Sequence, residues 1–146
     1  MLKLFFFIPL FLLAQIEEHV RDTDPSLFRN QRIFHAPPNP LYKGRAHTLE
    51  FLTDIPDDSV ASATLFFKTD SMLYYQEFSL AGIHGHYQFK YEPKRFPGTR
   101  LQYYFVMKAG SNIFGAPLDS LGEIFPMNKL LIDPIQYFKQ KVRLNQ

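Results

Sequence analysis

The sequence contains no cysteine and no tryptophan, and glycine is scarce, with 7 among 146 residues. Without cysteine, the chain has no disulfide framework, no thiolate nucleophile and no cysteine-ligated zinc. An excess of either charge is also missing, since 16 basic side chains stand against 14 acidic ones. This near balance argues against a nucleic-acid binder, which usually has a clustered basic face. Hydrophobic residues make up 46% of the chain, too many for a disordered protein, and the length suits one domain with a real core.

The start of the chain has the pattern of an export signal. Lys3 is followed by an almost unbroken apolar run from Leu4 to Ala14. That run is shorter than the roughly 20 residues that cross a bilayer, and it has the length of a signal-peptide core. We expect residues 1–14 to be a signal peptide cleaved after Ala14. The exported chain would be periplasmic, on the cell surface or extracellular, with no stable membrane span. The alternatives are a buried strand or helix, or an uncleaved anchor.

Two polar and proline-rich segments come next. Residues 15–31 mix charges of both signs without a sustained period, which predicts an N-terminal arm or linker. The segment that follows carries Pro37, Pro38 and Pro40. Because proline removes backbone hydrogen-bond donors, this segment is predicted to be an edge strand broken by prolines.

Apolar and polar side chains then alternate with a period of two, and turn signals separate the runs. The predicted strands are residues 47–53, 60–69, 72–80, 86–92 and 100–109, with a weaker one starting at 113–115. Because no helix separates them, these strands are expected to pair antiparallel. We predict an all-β fold, an antiparallel two-sheet sandwich of about seven strands over residues 32–126. A closed barrel is the alternative.

Three segments carry a resemblance to a known family. They are VASATLFFK at 60–68, GHYQFKYEP at 85–93 and GTRLQYYFVMKAGSN at 98–112. In this order they resemble strands of the fibronectin type III and immunoglobulin-like domains found in exported bacterial proteins. The resemblance implies an immunoglobulin-like sandwich that is a structural or recognition module rather than an enzyme, although fold alone does not set function.

Two groups of side chains have residue types that bind metals. His84 and His86 flank a glycine and share a strand face, but no third ligand lies near them in the sequence. Asp54, Asp57 and Asp58 form an acidic loop that lacks the ligand spacing of a calcium site and is typical of a turn. No motif for nucleophilic, metal-dependent or phosphate chemistry is present. We therefore expect no cofactor, no metal and no catalytic residue, while a carboxylate pair scattered over strands is left open.

Four large side chains are expected to point away from the core, namely Phe66, Tyr75, Tyr104 and Val106. In an immunoglobulin-like sandwich their three strands are neighbours in one sheet. A contiguous apolar patch is typical of an interface, so a protein partner or a neighbouring domain is expected there. A carbohydrate stacked on the rings is the alternative ligand. Ordinary cross-strand pairing is the structural alternative.

The end of the chain, residues 127–146, is predicted to be an extension with a short amphipathic helix. Pro134 suits the first helical position. Ile135, Phe138 and Val142 then form one narrow apolar stripe. The helix is expected either to pack on the side of the sandwich or to dock onto a partner or an anionic membrane surface.

Overall fold

The computed structural model describes residues 31–144, so the predicted signal peptide and most of the predicted arm lie outside the described residues. Within that range the chain forms nine strands and one α-helix. The strands are β1 Leu41–Tyr42, β2 His47–Leu52, β3 Val60–Thr69, β4 Gln76–Ser79, β5 Gly82–Ile83, β6 His86–Tyr91, β7 Arg100–Ala109, β8 Asn112–Ala116 and β9 Met127–Ile132, and the helix is α1 Pro134–Leu144.

The strands form two sheets. The larger one has the order β1-β9-β7-β3-β4, with β8 paired to the end of β7, and the smaller one has the order β2-β6-β5. Every strand pair is antiparallel except β1 with β9. The predicted all-β architecture of two sheets is thereby confirmed. The two strands beyond the predicted seven are β5, which has only two residues, and β9, with which the larger sheet continues past residue 126.

The core lies between the sheets and is rich in aromatic rings. Phe51 of β2 stacks on Tyr87, with ring centroids 4.9 Å apart, and meets Phe105 of β7 edge-on at 5.1 Å. Phe67 of β3 reaches Phe89 of β6 at 5.7 Å. Rings from both sheets therefore interlock, which ties the two layers together without any disulfide.

β3 and β7 have the bounds that the alternation predicts. They lie side by side in the larger sheet, with Leu65 opposite Phe105 and Phe67 opposite Tyr103, and all four side chains are buried. The alternation over residues 60–69 also predicts Ala61 on the buried face, but Ala61 is exposed because the register shifts between Val60 and Ser62.

β4 begins later than predicted. The sequence predicts a strand over residues 72–80 with Tyr74 and Gln76 inward, but pairing with β3 begins only at Gln76, and Tyr74 is 77% exposed. Gln76 is exposed as well. The reason is the turn after β3, in which the Met72 N–H donates to the Thr69 carbonyl and delays the return of the chain to the sheet.

The proline-rich segment lies at the edges of both sheets, in agreement with the edge strand that its prolines predict. Phe34 forms an isolated bridge with Leu52 of the smaller sheet, whereas β1 pairs with β9 of the larger sheet. Pro37, Pro38 and Pro40 lie between these two contacts, where the backbone changes sheets and the missing N–H donors cost little.

α1 begins at Pro134, the predicted first helical position. The Asp133 carboxylate accepts a hydrogen bond of 2.8 Å from the Ile135 N–H at its N-terminus. Among residues 31–144, no helix has both the length and the apolar character that crossing a membrane requires.

Candidate functional site

Three adjacent strands of the larger sheet bring together the side chains that the alternation places outside. Phe66 of β3 lies opposite Tyr104 of β7, and Thr64 lies opposite Val106. Tyr75, just before β4, reaches the same group, with its ring centroid 5.3 Å from that of Tyr104. We call Phe66, Tyr75, Tyr104 and Val106 the outer stripe. All four are half-buried although they lie on the side of the sheet away from the core.

The rings of the outer stripe pack on one another. Phe66 and Tyr104 are stacked with centroids 4.8 Å apart and planes 6° apart, and Tyr75 meets Tyr104 at an angle of 68°. Lys68, two residues after Phe66 on the same face, places its Nζ 4.8 Å from the centre of the Tyr75 ring. A cation over an aromatic face is attractive. The rings therefore form a closed cluster and not a row of separate rings.

Burial and neighbouring groups affect the two phenols of the outer stripe. Burial raises the pKa of Tyr75. The pKa of Tyr104 is also raised, first by burial and then by the proximity of Tyr75 and Glu77. Both hydroxyls stay protonated at neutral pH and can donate a hydrogen bond to a ligand. With Lys68 and Glu77 beside the rings, the patch has an apolar centre and a charged border, as protein interfaces often have.

The alternation predicts the four members of the outer stripe and Lys68 as a group flanking them, but it does not predict that Lys68 lies over the Tyr75 ring. The period of two indicates that Lys68 shares the face of Phe66. Its contact with Tyr75 depends on the path of the chain before β4, and no local pattern encodes that path.

His84 and His86 do not face a common point where they could bind one metal ion. Each of them is instead hydrogen-bonded to a different acidic residue. The His84 and Gly85 N–H groups donate to the Asp57 carboxylate at 2.7 and 2.9 Å, and these bonds, that of Gly85 first, lower the pKa of Asp57. The His86 Nε2 lies 2.7 Å from the Glu50 Oε2.

The acidic loop is likewise engaged in local contacts. Asp54 accepts a hydrogen bond of 2.7 Å from Arg32, whose guanidinium lowers the pKa of Asp54, and Asp58 accepts from the Ser59 hydroxyl. Within residues 31–144, no three histidine or acidic side chains come together in a group that could hold a metal.

A half-buried histidine, His35, is a feature that the sequence pattern does not predict. His35 borders a cleft of about 300 Å³ at the edge of the smaller sheet. Its Nδ1 bonds to the Glu50 carbonyl, and its Nε2 lies 2.9 Å from the Tyr103 hydroxyl. Since a carbonyl can only accept, Nδ1 carries the hydrogen and Tyr103 donates to Nε2. Burial lowers the pKa of His35 and raises that of Tyr103, so both groups are neutral at neutral pH.

We expect His35 to lower the free energy of unfolding as the pH falls through about 6.5. Its folded-state pKa lies below the ordinary value of about 6.5, because burial and Lys129 outweigh the opposing effect of Glu50. The unfolded chain therefore takes up the proton first as the pH falls through about 6.5, and the free energy of unfolding decreases. The decrease should be small, since solvent still reaches part of the ring.

Urea unfolding of the wild type at several pH values measures this effect. His35→Gln should flatten the decrease, and His84→Asn, which removes an exposed histidine at a positive φ that asparagine tolerates, should keep it. Equal pH dependence in the wild type and in His35→Gln would exclude His35 as the cause.

Comparisons with known proteins give a distant structural likeness and no family match. No protein-family model and no curated protein matches the chain. Among solved structures it is similar to the X-ray structure of the endo-beta-1,4-mannanase from Thermotoga petrophila, with 8% identity and a TM-score of 0.48. The likeness covers 72% of this chain and 20% of that chain, so this chain spans about a fifth of the mannanase. No function is transferred from it.

Proposed function

We propose that this protein is an exported, non-catalytic β-sandwich module of the immunoglobulin-like, fibronectin type III-like kind. It binds a protein partner or a neighbouring domain through the outer stripe, at the cell envelope or outside the cell. The observation that carries this proposal is the aromatic cluster on the outside of the larger sheet, because tyrosine and phenylalanine are enriched at the centres of protein interfaces.

The strand order supports the immunoglobulin-like part of the proposal. The smaller sheet, β2-β6-β5, matches the second, fifth and fourth strands of such a sandwich. The run β9-β7-β3-β4 in the larger sheet matches its last, sixth and third strands with the additional strand that follows the third. The segment that contacts both sheets, from Phe34 to β1, takes the place of the first strand.

The ring geometry favours a protein over a sugar. A sugar stacks on a ring face that is open to solvent. The ring faces of Phe66 and Tyr104 are stacked on each other, with centroids 4.8 Å apart. One face of the Tyr75 ring is covered by the Lys68 ammonium group. Val106 adds an aliphatic surface that a protein side chain can cover. The remaining edges, hydroxyls and charges suit an irregular protein surface better than a flat pyranose.

The test compares partner capture by the wild type, Tyr104→Ala, Phe66→Ala and the control Ile83→Ala. Ile83 is 72% exposed on the smaller sheet, so the control removes an exposed apolar side chain away from the outer stripe. From envelope and extracellular fractions of the source cells, we expect the wild type and the control to capture the same protein. Tyr104→Ala should weaken its binding at least tenfold, since a central aromatic anchor is worth about 2 kcal/mol.

A glycan array with the same four proteins distinguishes the alternatives. A glycan signal that Tyr104→Ala abolishes, with no protein captured, would establish carbohydrate binding instead. Equal binding of all ligands by all four proteins would refute a role for the outer stripe. The melting temperature of each variant is measured as well, so that a loss of binding caused by unfolding is recognised.

A further inference from the structure

α1 presents an apolar stripe that stays more than half exposed within the described part of the chain. Ile135, Phe138 and Val142 are 64%, 53% and 59% exposed and lie on one side of the helix at spacings of three and four residues. We call these three side chains the helix stripe.

α1 is attached to the sandwich through aromatic contacts of Tyr137 and of Phe138, and Phe138 also belongs to the helix stripe. The ring centroids of Tyr137 and Phe138 lie 5.8 and 6.1 Å from that of Tyr42 in β1. The Arg45 guanidinium lies 5.5 Å from the centre of the same Tyr42 ring. These contacts give α1 a defined orientation on the edge of the larger sheet, with Ile135 and Val142 left open to solvent.

Every charged side chain of α1 is a cation. At 100° per residue, Lys139 and Arg143 lie along one border of the helix stripe and Lys141 lies along the other. All three are exposed, and Arg45 adds a further cation next to the helix. An apolar strip bordered on both sides by long cationic side chains is the pattern of helices that lie in a membrane surface, where lysine and arginine extend to the headgroups.

We propose that α1 attaches the protein peripherally to an anionic lipid bilayer, with the helix stripe at the boundary between headgroups and acyl chains. A protein partner fits less well, because lysine is depleted at protein interfaces whereas surface-bound helices are rich in it. The attachment is reversible and depends on anionic lipid, since three apolar side chains bury little area. This surface is separate from the outer stripe, so the inference does not rest on the proposed function.

Vesicle flotation of the full chain tests the proposal. One set of vesicles is pure phosphatidylcholine, and the other contains about one third phosphatidylserine. The variant Lys139→Gln/Lys141→Gln removes two cations, and glutamine is a good helix former. At about 1 kcal/mol per cation, or fivefold each, we expect about 25-fold weaker binding to the anionic vesicles. The control Lys94→Gln/Lys108→Gln makes the same change of charge at exposed positions on the sandwich and should bind like the wild type.

A second variant separates insertion from simple charge attraction. Ile135→Ser/Val142→Ser keeps every cation and should also lose most of its binding. Binding of the wild type should fall when salt shortens the range of the electrostatic attraction. All variants share residues 1–30, so a difference in binding between a helix variant and the control comes from the substituted side chains.

The proposal is overturned if the wild type floats equally with both kinds of vesicle, or if either helix variant binds like the control. Binding of an acidic peptide to α1 without any binding to vesicles would overturn it as well and identify the helix as a protein-binding surface.

Discussion

Replacing Gly85 with alanine is expected to lower the free energy of unfolding by about 3 kcal/mol. Gly85 has a φ of +73°, a conformation that strains any residue with a side chain. It is also buried, and an added Cβ would lie only 2.3 Å from the carbonyl oxygen of Thr53. The effect is therefore the sum of backbone strain and a clash with backbone that has little room to move.

Relief of that clash would break neighbouring hydrogen bonds. The Gly85 carbonyl accepts from the Thr53 N–H at 2.9 Å, and the Gly85 N–H donates to Asp57. These bonds join the turn before β6 to the loop after β2. A shift large enough to admit a methyl group would loosen one or both of them, so relaxation recovers only part of the cost.

Gly110→Ala is the matched control. Gly110 also has a positive φ, +59°, but an added Cβ there would meet nothing within 4 Å. Its substitution should cost about 1 kcal/mol from backbone strain alone. Urea unfolding of the wild type and both variants measures the difference. Equal losses in the two variants would show that the contact with Thr53 contributes nothing.

The second large effect is expected from Phe67→Ala, which should cost about 3–5 kcal/mol. Phe67 is fully buried, and its ring lies within 6.4 Å, between centroids, of four others that line the core. Those rings belong to Phe78, Phe89, Tyr91 and Phe96. Truncation leaves a cavity that rigid neighbouring rings cannot fill, and it removes a contact between the two sheets.

Phe66→Ala provides the comparison, because the same residue type is removed one position earlier on the opposite face. Phe66 is half-buried and stacks mainly on Tyr104, so its loss should cost about 1 kcal/mol. Chemical unfolding measures both variants. If Phe66→Ala costs as much as Phe67→Ala, the outer stripe is a second packing core of the protein and not a free surface.

The variants Phe66→Ala and Phe67→Ala also distinguish an effect on folding from an effect on partner binding. At a temperature where both variants remain folded, Phe66→Ala should lose affinity for the partner while Phe67→Ala keeps it. The opposite result would place the binding surface somewhere other than the outer stripe.

The sequence predicted the central strands well because their alternation is long and regular. In β3 and β7, successive side chains point to opposite faces, so ten residues of alternating pattern define both the strand and its buried side. The N-terminus of α1 was predictable for a similar reason, since Pro134 directly follows a capping residue. Such features depend only on neighbours along the chain.

Other elements depend on partners far away in the sequence and gave no local signal. β9 is a strand because it pairs with β7. β4 is shorter than the alternation predicts because of the turn that begins at Thr69. His35 has an ordinary sequence context, and its neutral state comes from burial beside Tyr103, 68 residues away.

The sequence by itself determined the all-β class, the central strands and the identity of the four residues in the outer stripe. Only the tertiary structure decided that Phe66 and Tyr104 stack face to face, that Lys68 covers Tyr75 and that Asp57 holds the turn at Gly85. The physical reason is the same in each case. Alternation sets which face a side chain takes, whereas ring stacking and hydrogen bonds require that particular strands and loops meet in one register.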